Sequence, residues 1–207
     1  MRIITGSARG AVIETLEGEA TRPTAERAKE ALFSMIQFEL EGRKVLDLFA
    51  GSGQLGLEAL SRGAASCTFI DEAREAVDII IKNAKNAKLF DRARVSAIDY
   101  AAFLRGAAGN EKYDIIFLDP PYASSYVADA LRLIDEYELL ALGGRIVCET
   151  DNGAPQIKRK KVKLTDAPEN VTNQVFGGNE ELQSKYNVDK TALYGRVRVT
   201  LLSKDND

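Results

Sequence analysis

Two rhythms of apolar and polar positions alternate between residues 45 and 150. Short apolar runs, KVLDLF (44–49), SCTFID (66–71), RVSAID (94–99), YDIIFLD (113–119) and GRIVCE (144–149), recur every few tens of residues. Each has the length and continuity of a strand buried on both faces. Between them the apolar positions fall at helical spacing. QLGLEALSRGA sets Leu55, Leu57, Ala59 and Leu60 in a helix that stops near Gly63. EAREAVDIIIKNAKNAKLF places Ala73, Val77, Ile80 or Ile81 and Ala84 on one face, with charges opposite, and SYVADALRLIDEYELL does the same with Val127, Ala130, Leu131, Ile134 and Leu139. Strand alternating with helix predicts a doubly wound α/β fold with a mostly parallel sheet covered on both sides.

The flanks extend this picture. RIITG and AVIETL, separated by a glycine-bearing turn at 6–10, predict a small hairpin. TRPTAERAKEALFSMIQFEL predicts a helix capped by Thr24, with Glu26 at its positive end and Ala28, Leu32 and Met35 or Ile36 facing inward. After the core, KRKKVKLT and ALYGRVRVTLLS predict two strands forming an antiparallel edge. Residues 166–190 are polar and irregular and predict a mobile surface loop. The chain therefore divides into an N-terminal hairpin and helix, 1–42, and a main domain, 43–207.

The 207 residues, 45% hydrophobic and 29% charged, suffice for one globular core. No apolar run approaches the roughly 18 residues of a membrane span, and MRIITGSARG lacks the apolar stretch of a secretory signal. A cytoplasmic location is the expectation. Cys67 and Cys148 sit inside apolar runs and read as buried, reduced thiols. The absence of histidine excludes Ser-His triads, histidine bases and most zinc sites. With a net charge of −3, any nucleic-acid contact must come from a local cationic patch.

VLDLFAGSGQLGLEAL reads as strand, glycine turn and helix, with Gly51, Gly53 and Gly56 in G-x-G-x-x-G spacing. By itself this can be a tight structural turn. Asp71, 18 residues beyond Gly53 at the end of the next strand, adds a carboxylate that could accept both ribose hydroxyls of a nucleoside, or cap the following helix. Asp47 precedes the glycine turn and brings negative charge to the helix start where a dinucleotide would seat its pyrophosphate. An acid there repels phosphate but suits an ammonium or sulfonium centre, which favours S-adenosylmethionine over NAD. Asp99, ending the third strand, could take the adenine amino group or cap the helix at YAAFL.

Asp119, Pro120, Pro121 and Tyr122 end the fourth strand. Ligands of open α/β sheets lie beyond the carboxyl ends of their strands. Two prolines fix two φ angles and remove two N–H donors, leaving a corner of acceptors: the Asp119 carboxylate and the Pro120 carbonyl. Tyr122 adds a flat face. Acceptors beside an aromatic plane match an exocyclic amine on an extruded nucleobase, with stacking worth about 1–3 kcal/mol. Hydrogen bonds from both N–H groups would align that nitrogen for methyl transfer, without a metal.

DLFAGSGQLGLEALSRGA, FID and DPPY in this order resemble Rossmann-like (class I) S-adenosylmethionine-dependent methyltransferases acting on nucleobase amines. MRIITG with TRPTAERAKEALFSMI resembles, more narrowly, the bacterial 16S ribosomal RNA guanine-N2 methyltransferases, the guanine-966 type. The match covers roughly residues 1 to 150. The resemblance implies that Asp119, Pro120, Pro121 and Tyr122 hold the target guanine. It implies that Asp47, Phe49, Gly51, Gly53, Asp71 and Asp99 line the cofactor pocket, and that Arg22, Thr24 and Arg27 lie near the RNA or the cofactor mouth. With an acidic balance overall, the local cations Arg2, Arg9, Arg22 and Arg27 would have to carry phosphate contacts. The implied partner is 16S RNA or a small-subunit assembly intermediate, met by a monomer. Lys29 reads equally as part of a cationic cluster or as a solvated helix position. The run Lys158-Arg159-Lys160-Lys161 could contact phosphate or guard an edge strand.

The same corner would serve an adenine-N6 or cytosine-N4 DNA methyltransferase. Only 48 positions separate Asp71 from Asp119, however, which leaves no room for an inserted domain that reads DNA sequence. A non-catalytic RNA-binding module is the other rival, against which the intact glycine turn and Asp-Pro-Pro-Tyr stand.

Overall fold

The computed structural model describes residues 1–16, 23–121, 126–151 and 169–204, the side chains at 23–26 and 169–172 excepted. The elements follow the predicted alternation: α1 (Pro23–Met35), β1 (Lys44–Asp47), α2 (Gln54–Ser61), β2 (Ser66–Asp71), α3 (Arg74–Asn86), β3 (Ala93–Ala97), α4 (Tyr100–Ala107), β4 (Tyr113–Leu118), α5 (Tyr126–Glu136) and β5 (Leu140–Asp151). Then come α6 (Glu169–Phe176), α7 (Glu180–Ser184), β6 (Asn187–Tyr194) and β7 (Val197–Ser203). One seven-stranded sheet runs β3-β2-β1-β4-β5-β7-β6. Strands β1 to β5 pair in parallel, while β7 runs antiparallel to both β5 and β6. The winding reverses between β1 and β4, and such a switch point opens a crevice at the carboxyl ends of the strands.

Strand alternation sorts the core into two layers. Val45, Phe69, Ile115, Phe117, Val147 and Val199 face one side, where Leu32 and Phe33 of α1, Leu57 and Leu60 of α2 and Ile80 of α3 cover them. Leu46, Ile70, Ile116, Leu118 and Ile146 face the other, under Leu104, Leu131, Ile134, Val175 and Phe176. Cys67 and Cys148 are buried free thiols within these layers. Among the described residues no helix is long and apolar enough to cross a membrane.

Several expectations change. Residues 166–190 are not a loop: from 169 onward they form α6, α7 and the start of β6. Val175, Phe176, Leu182 and Tyr186 are buried there and anchor an otherwise polar stretch to the second layer. The antiparallel edge exists, but it is the hairpin β6–β7, so ALYGRVRVTLLS contains a turn at Gly195 instead of one continuous strand. KRKKVKLT and Lys158-Arg159-Lys160-Lys161 lie outside the described residues. Helix α1 begins at Pro23, a proline suited to a first helical position, so Thr24 falls inside the first turn and not at the cap.

The predicted hairpin is present, with Arg2 bridging Val12 and Ile3 exchanging backbone hydrogen bonds with residues 10 and 11. Its anchor is Glu58, wholly buried in the middle of α2. Glu58 accepts from the Ile4 N–H (2.8 Å), the Thr5 N–H (3.0 Å) and Arg62 Nε (2.8 Å). Lys29 Nζ of α1 lies 3.2 Å from Oε2, the oxygen that accepts from Ile4. Lys29 is 2% exposed, so it is neither a solvated position nor a phosphate contact, but the buried counter-charge of Glu58. Asn83 of α3 adds a second clamp, accepting from the Glu14 N–H and donating to the carbonyls of Glu14 and Ser52. Truncation as Glu58→Ala removes the carboxylate paired with buried Lys29 and strands two backbone N–H groups. The expected loss of stability is about 3–5 kcal/mol, read by urea denaturation. A loss below about 1 kcal/mol would show that Glu58 is not the hairpin's anchor.

Candidate active site

The glycine turn between β1 and α2 has the conformation its sequence demands. Gly51 (φ 52°) and Gly53 (φ 79°) occupy the left-handed region, and Gly53 precedes the first residue of α2 without a side-chain cap. At Gly56 a Cβ would lie 2.2 Å from the Phe69 ring and 2.6 Å from Cys67 Sγ, so only glycine lets α2 rest this closely on β2. The Leu48 N–H donates to the Phe117 carbonyl and the Ala50 N–H to that of Ile70, tying the turn to the strands on both sides.

Asp47 ends β1 beneath this turn and is 1% exposed. Its Oδ2 accepts from the Gly56 N–H at 2.9 Å, occupying the helix end where a phosphate would otherwise bind. Its Oδ1 is buried without a hydrogen-bond partner. Burial pushes the Asp47 carboxyl up to about 7, the Gly56 N–H opposes the shift, and the charges of Asp119 and Asp71 add to it. A carboxylate in this state invites a cation.

Asp71, partly exposed at the end of β2, accepts from the Gly51 N–H and the Ala73 N–H, both at 2.9 Å. It therefore orients the glycine turn and also braces the start of α3. Asp99 is exposed and caps α4 by accepting from the Ala102 N–H at 2.9 Å. Phe49 packs against Tyr100 (5.2 Å between ring centroids) and Tyr126 (6.1 Å), and these two tyrosines meet edge to face at 5.6 Å. Only Phe49 of this aromatic group stands in the predicted set. The signal for the others was available, since Tyr100 follows the strand-end Asp99 and Tyr126 opens the helix after Asp-Pro-Pro-Tyr.

At the end of β4, Asp119 is partly buried, Pro120 buried and Pro121 exposed. Among the described residues no backbone donor reaches the Pro120 carbonyl. Tyr122 and Arg22 lie outside the described residues, as does the side chain of Thr24. Arg2, Arg9 and Arg27 are exposed, Arg2 donating to the Gly10 carbonyl at 2.8 Å inside the hairpin.

Residues 1–176 match the family described as "Conserved hypothetical protein 95". Among curated relatives, "Putative rRNA methyltransferase YlbH" of Bacillus subtilis is 43% identical over 152 residues, 73% of this chain and 83% of its own length. "Ribosomal RNA small subunit methyltransferase D" of Haemophilus influenzae is 35% identical over 158 residues, 76% of this chain and 82% of its own. The chain belongs to this family. Among solved structures, "Putative methyltransferase yhhF from Escherichia coli" superposes with a TM-score of 0.76 at 28% identity, covering 100% of this chain and 99% of that one. The Rossmann-like fold with an antiparallel edge is common to both.

For this family member the strand ends hold one acid that the sequence reading passed over. Glu149, the last residue of GRIVCE, lies near the carboxyl end of β5, partly buried beside β4. Asp47 and Asp71 end their strands and Asp119 follows the last residue of β4, whereas Glu149 stands two residues before the end of β5.

The raised Asp47 carboxyl gives a signed prediction. In the unfolded chain it ionises in the usual carboxylate range, near 3.8, and in the ligand-free fold near 7. Between those values the folded state holds the extra proton, so stability falls as pH rises through the window and stays lowered above it. Asp47→Asn removes this titration. The variant should be more stable than the wild type by up to about 4 kcal/mol at pH 8, with the gap closing toward pH 5, as read by urea denaturation of ligand-free protein. A gap independent of pH would show that Asp47 is not the titrating group.

Proposed function

We propose that the protein transfers a methyl group from S-adenosylmethionine to the exocyclic N2 of a guanine in small-subunit (16S) ribosomal RNA. Methyl transfer rests on family membership and fold. The observation that carries the site assignment is the pairing of an acceptor-only corner, Asp119 and the Pro120 carbonyl, with the unsatisfied Asp47 carboxylate across the β1/β4 switch point. The chain's residues fit the cofactor. Asp47 would hold its ammonium group, Asp71 the ribose hydroxyls beside the glycine turn, and Phe49 with Tyr100 an apolar wall for the adenine, with Asp99 at its rim. When bound, the cofactor supplies an electrophilic sulfonium methyl.

The protein's own part is positioning. A guanine amine is a weak nucleophile because its lone pair is delocalised into the ring. Asp119 and the Pro120 carbonyl, accepting its two N–H groups, draw that lone pair out of the ring and fix its direction. Asp119 then takes the proton released on methylation. Tyr122, on this reading, stacks on the extruded base. Two relatives bear names assigning them to small-subunit ribosomal RNA, and guanine N2 rests on the sequence resemblance. A DNA substrate is disfavoured because α3, β3, α4 and β4 fill the segment between Asp71 and Asp119, leaving no room there for an inserted domain that reads sequence. Arg2, Arg9, Arg22, Thr24 and Arg27 would meet the RNA, which a folded ribosomal target lets a protein find by shape.

Incubation with tritiated cofactor and small-subunit particles, naked 16S RNA or genomic DNA, followed by mapping, should place label on one guanine N2. Label in DNA alone, or on adenine, overturns the substrate assignment. Asp119→Ala should keep its affinity for the cofactor by calorimetry while kcat drops roughly 10²–10³-fold, the scale of losing one preorganised polar group. Parallel loss of affinity and turnover would place Asp119 in the cofactor pocket instead.

A further inference from the structure

Neither the reaction as proposed nor family membership gives Glu149 a task. In the β4–β5 register Phe117 faces Val147 and Leu118 faces Cys148, so the next level pairs Asp119 with Glu149. Val45, Phe117 and Val147 share one core layer. Continuing the alternation by two residues on each strand carries Asp47, Asp119 and Glu149 to that same face of the sheet, on three adjacent strands. Glu149 is partly exposed, and among the described residues its carboxylate makes no hydrogen bond or ion pair. It lies on the side of Asp119 away from β1, therefore away from the glycine turn and toward any base held at the Asp119 corner.

A carboxylate with no donor among the described residues, set beside two others, suits a cation or an N–H donor. The orphaned Oδ1 of Asp47, fully buried on the same face, independently marks this edge as built around a ligand that the chain does not supply. Along the edge carrying their exocyclic amine, nucleobases differ in the adjacent ring nitrogen. Guanine offers N1–H, a donor, next to its amine, whereas adenine N1 and cytosine N3 carry a lone pair. Adjacent strands lie about 4.8 Å apart, the right scale for two acceptors on one base edge.

Resting on the guanine-N2 reading above, we infer that Glu149 accepts the N1–H of the target guanine and so selects guanine over adenine and cytosine. Asp119 holds the amine that reacts, and Glu149 reads the neighbouring ring nitrogen. A ring lone pair set against this carboxylate is repelled, and the amine is then displaced from the corner. Burial, with the charges of Asp119 and Asp47, holds the Glu149 carboxyl well above its usual range in the ligand-free protein. A cationic ligand at Asp47 offsets those charges and favours the ionised form that accepts N1–H, so base reading is coupled to an occupied cofactor pocket.

The test uses 16S RNA assembled by splinted ligation, with either guanine or 2-aminopurine at the methylated position. 2-Aminopurine keeps the exocyclic amine but replaces N1–H by a lone pair. Wild type should strongly prefer guanine. Glu149→Gln keeps the shape and can donate to that lone pair. Its kcat/KM for guanine RNA should fall roughly 10–100-fold without a fall for 2-aminopurine RNA, and cofactor affinity by calorimetry should stay within about twofold. A melting temperature no lower than wild type shows that the variant is folded, and Glu149→Asp, which keeps the charge, should retain the guanine preference. Equal losses on both RNAs, or no loss on either, overturn the assignment. If wild type methylates no guanine, the functional reading itself fails; if it does and Glu149→Gln leaves the preference intact, only the role of Glu149 falls.

Discussion

Two buried carboxylates on either side of the glycine turn govern this molecule, and they differ in how they are satisfied. Glu58 receives two backbone N–H groups, an arginine and a lysine, all from the chain itself. Asp47 receives one N–H, from Gly56. A buried charge must be neutralised, hydrogen-bonded or protonated. The first acid is met by folding, which welds the hairpin and α1 onto α2 and explains why Ile3, Ile13 and Phe33 share a core layer with β1 and β4. The second stays unmet until something enters the crevice. One acid builds the walls, and the other defines what they enclose.

That contrast explains what could be read from residue order and what could not. SCTFID was legible as β2 to the residue because its buried apolar members Cys67, Phe69 and Ile70 are bounded by the polar Ser66 and Asp71. The glycine turn was legible because left-handed φ values and close packing at Gly56 leave few alternatives. Lys29 was not legible, because a helical lysine reads as solvated unless its counter-ion is known, and Glu58 lies a whole element away. Residues 169–186 misled for a related reason. Their few apolar members are widely spaced, and what fixes them as α6 and α7 is burial against α5 and β5, a tertiary fact.

The candidate site divides the same way. Its backbone parts announce themselves, since glycine and proline constrain φ wherever they occur. Its side-chain parts depend on which strands become neighbours. Asp119 stood out because two prolines follow it. Glu149 carries no such flag, and its importance arises only from the β4–β5 register and the shared face with Asp47. Asp99, by contrast, has a complete structural role as the cap of α4, so any contact with adenine is additional to it.

An edge so rich in carboxylates also constrains how a polyanion can use it. RNA phosphates cannot approach Asp47, Asp119 and Glu149 closely without like-charge repulsion. On the proposed RNA reading, the backbone would be held at a distance, by the arginines of the hairpin and Arg27 of α1, while a single neutral base reaches inward. Extrusion of the base is then required by electrostatics as much as by access to the amine. A cationic cofactor lowers the negative potential of the edge before the base arrives. On the proposed reading, the acids that would repel the substrate in the empty protein become, once balanced, the acceptors that orient it.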